Sequence, residues 1–520
     1  MGYFGIDFGT TNTAVVNSYI VNGEEHFDNY GEGASPFSSV VGISNINNSV
    51  LVGDEASNAN DVYHIFRSFK SQLHDKESRW TVNNKEYSAI DITEAYFRGI
   101  RNNVNAKLKH DNFNSAVIAV PVGSSPAQRH NMIIAADRAG ISVKKLVNES
   151  TAAYIGCRQE LVGATYVAII DWGGGTADIS IIKNEGSKVE ELAIRGTKIG
   201  GDDIDKEIAI KFHSEQAKEH KLCEFDEIPE NTINYLLGRS AQAKIKLSDN
   251  DDTRMILFNY LGLNTATYLL NIDTLNGIIK PFIDEILDMF EKTVIEAGLT
   301  LESLDAVVVV GGSANIRLFK EQINERYAKK GVFVHYPKKP DWIVAHGANI
   351  IAKDESTYIL NNDFGIRMSD NTFFPIFNKG MTIPGESKTL HFGVVDNSTE
   401  ANFIFEKKDD DKREIVDIVT LPIKGFIAEG IKVDTTVGMD MIVNAEMVST
   451  NMPLKGVKCS ISGLKFTFDL AGKKNVPHVI SLDKRNQRVC TYCGIVVPET
   501  DFYKDGLCRE CYKYNNADSK

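Results

Sequence analysis

Two short stretches of the chain repeat one arrangement of residue types. Ile6-Asp7-Phe8-Gly9-Thr10-Thr11 returns as Ile170-Asp171-Trp172-Gly173-Gly174-Gly175-Thr176, an apolar run into Asp, then Gly, then Thr. A turn of Gly and Thr can aim several backbone N–H groups at one point, and glycine lets the backbone approach an anion with no Cβ in the way. An Asp beside such a turn would repel a phosphate unless a cation stood between them. Asp7, Asp171 and Asp178 therefore point to hydrated Mg²⁺ bridging carboxylates and phosphates. Either stretch alone reads equally well as an ordinary tight turn; the matched pair reads as two half-sites facing one ligand. No G-x-x-x-x-G-K-[ST] stretch occurs, which excludes the common phosphate loop. A third piece, Val307 to Val310, opens onto Gly311-Gly312-Ser313. That glycine pair could admit a purine ring or sugar, although strand-to-helix junctions also carry glycine for packing.

The elements that must position these residues are those of an α/β arrangement. Each glycine turn is followed by a second strand-like run, Ala14 to Asn17 and Ile179 to Ile182, so each is the tip of a hairpin. Over the first 355 residues apolar strands alternate with amphipathic stretches. Val117 to Val120 reads as a buried strand. Ser125-Pro126-Ala127-Gln128 then supplies an N-cap, a Pro at the first helical position and a capping-box Gln, and Gly140 is placed to end that helix. A further helix is expected from about Ile316 to Tyr327. Beyond Tyr358 to Asp363 the character changes to short alternating runs such as Phe403 to Glu406, Ile415 to Val419 and Met441 to Val448, an all-β pattern. The charged run Lys407 to Glu414 reads as a solvated hairpin tip.

The 520 residues allow about three to five domains. With 57 Lys plus Arg against 70 Asp plus Glu, the chain is mildly acidic, which excludes a chain-wide nucleic-acid surface. No apolar run approaches the length that spans a bilayer, and Met1-Gly2-Tyr3-Phe4-Gly5 opens no charged-then-apolar leader, so a cytoplasmic protein without a membrane partner is expected. Four of the seven cysteines, Cys490, Cys493, Cys508 and Cys511, form C-x2-C-x14-C-x2-C. Two close thiolate pairs can complete one Zn²⁺ tetrahedron. Cys157, Cys223 and Cys459 read as small buried apolar groups.

Seven stretches in this order, GIDFGTTNTAVV (5–16), AVIAVPVGSSPAQRHNMIIAADRAGISVKKLVNESTAAY (116–154), IIDWGGGTADISII (169–182), IGGDDID (199–205), AQAKIKLS (241–248), VVVVGGSANI (307–316) and PDWIVAHGA (340–348), resemble the heat-shock protein 70 family of chaperone ATPases, within the superfamily of actin and hexokinase. The resemblance implies an actin-like ATPase fold of two similar lobes over residues 1–355 and a linker over 356–363. A β-sandwich-like substrate-binding domain would follow over 364–472, then a second linker over 473–487 and a zinc ribbon over 488–515. It implies Mg²⁺-dependent ATP hydrolysis to ADP and phosphate, with K⁺ beside Mg²⁺, coupled to binding of unfolded or specific client polypeptide. J-domain co-chaperones and nucleotide-exchange factors are the partners it implies.

The resemblance also assigns roles. Gly9, Thr10, Thr11 and Asn12, with Gly173, Gly174, Gly175 and Thr176, would cradle the phosphates. Asp7 and Asp171 would hold the hydrated cations, Asp178 and Glu149 would order the metal and the attacking water, and Lys70 would reach the γ-phosphate. Gly200, Gly201, Lys244, Ser248, Gly311, Gly312, Ser313 and Asp341 would line the adenosine side. Pro121 and Arg129 would relay nucleotide state to the second domain. Ala241 and Asn315 depart from the family pattern of Glu and Arg beside the adenine. The family's helical lid, roughly a hundred residues, is expected to be absent, since only about fifty residues follow the β-domain. The cysteine tail is similar to the ribbons of phage HNH endonucleases, without the His and Asn block their catalysis needs. It reads as a zinc staple or protein-docking module, or as the one place where nucleic acid is contacted; its balance of 7 Lys plus Arg against 5 Asp plus Glu over residues 484–520 argues little for DNA. The alternative to a chaperone is an actin-like polymerising or scaffolding ATPase whose ribbon docks nucleic acid or a partner.

Overall fold

The computed structural model describes residues 2–470 apart from 22–23, 60–61, 76, 109–111, 354–355, 395–397, 410–411, 425–428 and 451–455. Beyond residue 470 it describes only two paired strands, Gln487–Val489 and Val496–Pro498. Cys490, Cys493, Cys508 and Cys511 lie outside the described residues.

Two sheets carry the repeated stretches. The first runs in space Ser142–Asn148, Ser115–Val120, Tyr3–Phe8, Asn12–Val21, Glu24–Tyr30. The second runs Val334–His335, Ala306–Val310, Tyr166–Trp172, Ala177–Glu185, Lys188–Thr197, Phe466–Asp469, Thr357–Leu360, Thr382–Ile383. In each, the strand bearing the key Asp has a parallel neighbour on one side and its own hairpin partner on the other. Asp7 faces Ala119 and Ala14, and Asp171 faces Val310 and Asp178. The echo in the sequence is thus a repeated topology, and each sheet with its helices makes one lobe.

The unbroken apolar runs follow from cover on both faces. Along Tyr166–Trp172, Val167 and Ile169 enter one core while Ala168, Ile170 and Trp172 enter the other. Helix Pro126–Arg138 begins as its sequence dictates: Gln128 N–H donates to Ser125 Oγ at 3.2 Å, and Ser125 N–H to Gln128 Oε1 at 3.0 Å. Gly140, at φ 84°, follows its end. Helices Glu149–Cys157 and Pro340–Lys353 cross closely, and only a glycine fits at the crossing, because a Cβ on Gly347 would lie 1.8 Å from the Ala152 carbonyl oxygen.

After the second lobe come two four-stranded antiparallel sheets. One contains Phe373–Phe377, Asp363–Arg367, Glu400–Asp409 and Lys412–Pro422, the other Lys388–Val394, Glu429–Val437, Val443–Ser449 and Val457–Ile461. Phe364, Phe377 and Phe405 of the first, with Val433, Val443 and Met447 of the second, belong to one buried core that is continuous with that of the first lobe. Of the charged run Lys407 to Glu414, residues 410–411 lie outside the described residues; Lys412 to Glu414 are exposed, and Asp409 on the other flank pairs with Lys465.

Two segments sit differently from the sequence expectation. Thr357–Leu360, inside the expected linker, is a strand with Tyr358 and Leu360 fully buried. Phe466–Asp469, at the end of the expected β-domain, is a strand of the second lobe's sheet, held between Lys188–Thr197 and Thr357–Leu360. Its Phe466 and Phe468 pack inward, and Phe468 meets the Tyr358 ring edge-on at 4.6 Å. Alternating apolar residues on each strand, together with an open sheet edge, account for the pairing.

Candidate functional site

The two hairpin tips meet. A Cβ on Gly174 would lie 2.0 Å from Thr11 Oγ1, and one on Gly175 would lie 2.6 Å from Thr10 Oγ1. Glycine is therefore demanded at the second tip by the approach of the first. Together the tips line a cavity of about 210 Å³ that also receives Asp7, Asn12, Lys70, Glu149, Asp171 and Asp341.

The carboxylates define its chemistry. Asp7 and Asp171 are each the last residue but one of their strands, next to the tips, Asp178 is the second residue of the returning strand, and Glu149 opens helix Glu149–Cys157. Burial and then Glu149 push Asp7 up to about 7, with Asp341 adding and Lys70 opposing. Burial and Glu149 likewise push Asp178 up to about 7, against the N–H of Val122, which donates to its Oδ1 at 2.8 Å. Asp171 is driven well above the carboxylate range by burial, then by Glu149, Asp7 and Asp178. Against four acids stands the Lys70 ammonium, 2.9 Å from Glu149 Oε1 and 5.4 Å from the Phe8 ring centroid. Asp178 Oδ2 is buried with no hydrogen-bond partner among the described residues. A buried carboxylate cluster with one lysine and an orphaned oxygen is short of positive charge, and a hydrated divalent cation fits it.

Away from the acids, the cavity is closed by helix Glu230–Lys246 and by the turn after Ala306–Val310. Lys244 Nζ donates to the Gly201 carbonyl at 2.8 Å and pairs with Asp205 at 2.9 Å. Ser313 Oγ donates to the Gly173 carbonyl at 2.8 Å. Gly311, at φ 90°, passes so near Trp172 that a Cβ would lie 2.4 Å from its carbonyl oxygen. Gly201, Lys244, Ser248, Gly311, Gly312 and Ser313 line the cavity; Gly200 stands behind it, where a Cβ would strike the Gly174 carbonyl at 2.2 Å.

Pro121 and Arg129 line an adjoining cavity of about 450 Å³ that shares Thr10, Lys70, Gly175 and Thr176 with the first and includes Asp178. Arg129 is buried, and burial lowers its guanidinium to about 10 although Glu191 and Asp440 favour the charge. It donates to the Ser124 carbonyl at 3.2 Å, to Asn148 Oδ1 at 3.4 Å and to the Asp440 carbonyl at 3.5 Å. Arg129 thus joins the first lobe to the β-rich part.

Sequence reasoning missed several residues here. Glu191, fully buried, accepts from Asn148 Nδ2 at 2.9 Å and from Thr151 Oγ1 at 2.5 Å, and its other oxygen accepts the Phe466 N–H at 3.0 Å. Lys465 Nζ donates to the Leu192 carbonyl at 2.7 Å, and Leu146 N–H to the Met439 carbonyl at 2.9 Å. Asp202 takes the Ser68 hydroxyl at 2.5 Å across the cleft. The acidic run after Gly201 was a signal for Asp202 and Asp205; Glu191 had none.

This mixed α/β architecture of several sheets, with twin hairpins facing across a cleft, fits the actin-like ATPase fold of the heat-shock protein 70 class. Residues 54–402 match the family described as Hsp70 protein, and the chain belongs to that family. Members of the family are ATPases that bind ATP and ADP with Mg²⁺ and act on client polypeptides with co-chaperones. Among the described residues no helix is long and apolar enough to cross a membrane.

Proposed function

We propose that this protein is an ATP-hydrolysing molecular chaperone, in which nucleotide held between the two hairpins sets the affinity of the β-rich part for extended polypeptide. The observation that carries this reading is the continuity between the acidic cluster and the β-rich part: Asp178 is bonded to Val122, next to Pro121, and Arg129 of the same cavity reaches Asp440. A change in what the carboxylates hold alters the strand end bearing Pro121, and with it the contact at Asp440.

Asp7, Asp171, Asp178 and Glu149 are the groups that would hold Mg²⁺, with K⁺ beside it. When bound, Mg²⁺ supplies the positive charge that triphosphate oxygens need. The chain's own part is positioning and electrostatics. Backbone N–H groups of Gly9 to Asn12 and Gly173 to Thr176 bind and orient the phosphates. Lys70 faces the γ-phosphoryl oxygens, where charge accumulates. Glu149 and Asp178 orient the attacking water, and no covalent nucleophile is required. Lys244, Ser248, Gly311 to Ser313 and Asp341 take the nucleoside.

On this reading residues 1–355 are the nucleotide-binding domain, 356–363 the linker, 364–472 the substrate-binding domain, 473–487 a second linker and 488–515 a zinc ribbon. J-domain co-chaperones and exchange factors would act on it as on its family. The strand Phe466–Asp469 ties the β-rich part to the second lobe in the described arrangement. The test is peptide affinity by fluorescence anisotropy with ATP, with ADP and without nucleotide, alongside phosphate release. Hydrolysis with an affinity that differs at least tenfold between ATP and ADP is expected, and coupling requires that peptide in turn change turnover. Equal affinity in all three states defeats the proposal.

A further inference from the structure

Two cavities meet at the phosphate turns and lead away from them in different directions. The one of about 210 Å³ runs from the acids toward Lys244, Ser248 and Gly312. The adjoining one of about 450 Å³ shares Thr10, Lys70, Gly175 and Thr176 with it and none of those three. From the shared residues and the buried Asp178 it reaches Ser71, His74, Gly123 and Lys198, all of them exposed. It is therefore a passage from the buried end of the nucleotide cavity to solvent. The acids along it already accept hydrogen bonds: Asp178 from the Val122 N–H at 2.8 Å, Asp202 from the Ser68 hydroxyl at 2.5 Å and Asp203 from the Gly200 N–H at 2.8 Å. Facing them in the same lining are three cationic side chains, with Lys70 at the inner end, Arg129 in the wall and Lys198 at the mouth.

We propose that inorganic phosphate cut from the γ position leaves through this passage while ADP is still held in front, so that the two products depart by separate ways. Departure past the nucleoside end would take phosphate by the β-phosphate, the cation and the nucleoside, all still bound. The passage requires none of that, since its shared wall is the one that the γ-phosphoryl group would touch. A lysine at each end draws an anion along it. Part of the wall also carries the β-rich part: Ser462 Oγ donates to the Ser124 carbonyl at 3.3 Å, and Arg129 to the Asp440 carbonyl at 3.5 Å. Gly123 gives access to the passage without disturbing that contact. A Cβ there would meet no atom of another segment within 4 Å, so a large side chain has room at the mouth.

This inference rests on the reading of the smaller cavity as an ATP and Mg²⁺ site, and the test separates the two. The full chain is loaded with fluorescent mant-ADP and Mg²⁺ and mixed with radiolabelled inorganic phosphate, and phosphate uptake and ADP loss are followed together. Phosphate should enter at least about tenfold faster than ADP leaves. Gly123→Phe should slow phosphate entry and departure alike by about tenfold, because an obstruction changes both rates and not the equilibrium. ADP release and acid-quenched single-turnover hydrolysis should stay within about twofold of the parent, which a general distortion of the site would not allow. Lys198→Glu should slow phosphate entry by about threefold at low salt and by less at about 0.5 M salt. Phosphate that enters only as fast as ADP leaves, two variants that both match the parent, or a Gly123→Phe chain that slows ADP release as much as phosphate overturns the inference alone. A parent chain that neither binds ADP nor hydrolyses ATP overturns the nucleotide site beneath it.

Discussion

The backbone N–H of Phe466 donates to Glu191 at 3.0 Å, at the centre of the contact between the β-rich part and the second lobe. The other oxygen of that carboxylate holds Asn148, the residue before Glu149, and Thr151. One buried acid therefore ties the strand Phe466–Asp469 to the helix that carries a candidate catalytic group. Glu191→Ala leaves three donors without an acceptor, at a cost of roughly 1–3 kcal/mol for each that stays dry. The expected result is release of the strand. Hydrogen exchange should rise at least tenfold in residues 466–469 and 188–191 while strand Tyr3–Phe8 keeps its protection. Unchanged exchange at residues 466–469 would show that Glu191 does not hold the contact.

The acidic cluster gives the metal-free protein a definite pH dependence. Asp7 and Asp178 are raised from 3.8 to about 7, so the native chain keeps protons that the unfolded chain has already released. Their contribution to stability is complete below about pH 4 and is lost as pH climbs to about 7, beyond which it stays lost. Asp7→Asn removes one of these groups. With chelator and no nucleotide, its Tm relative to the parent should rise by several degrees, about 5 °C, between pH 5 and pH 8. Mg²⁺ with ATP should abolish the difference in slope, because the cation replaces the protons. A constant offset between the two melting curves would contradict the electrostatic account.

Lys70 is the near cation of the cluster, and its ammonium is fixed by Glu149 at 2.9 Å. Lys70→Met keeps the length of the side chain and removes the charge that would face the γ-phosphoryl group. Single-turnover hydrolysis should slow by about a hundredfold or more, while ATP binding weakens by less than about tenfold. Equal losses in binding and turnover would place Lys70 in binding alone.

What could be read from the residues was local chemistry, and what could not was cover supplied from far along the chain. The hairpins, the capping box at Ser125 and the zigzag of Val307 to Val310 follow from neighbours in sequence. Lys70 carried no local signal; its place depended on likeness to a family, and the structure sets it beside Glu149. Glu191 lies in Lys-Val-Glu-Glu-Leu-Ala, which reads as an edge strand with its acids in water. It is buried because Phe466, 275 positions later, pairs over it. The same pairing turns the expected linker at Tyr358 into a buried strand.

The cysteine tail leaves the described structure at a fixed point. Leu470 N–H donates to the Ser187 carbonyl at 3.0 Å, and Ser187 Oγ to Asp469 at 3.0 Å, so the chain departs beside the turn between Ala177–Glu185 and Lys188–Thr197. That turn is at the opposite end of the hairpin from Gly173 to Thr176. A nine-residue strand separates the two, which at about 3.3 Å per residue is roughly 30 Å. The only tail strands described, Gln487–Val489 and Val496–Pro498, pair with one another and bracket Cys490 and Cys493 in sequence. If the four cysteines close one tetrahedron, the purified full chain carries about one zinc per molecule. Cys490→Ser with Cys493→Ser should reduce that to none by elemental analysis and expose the tail to protease after residue 470. ATP turnover should stay within about twofold of the parent, because the departure point lies so far from the phosphate turns. Full zinc retention in the double variant would remove the ribbon from the account, and collapse of turnover on zinc loss would make the tail part of the ATPase.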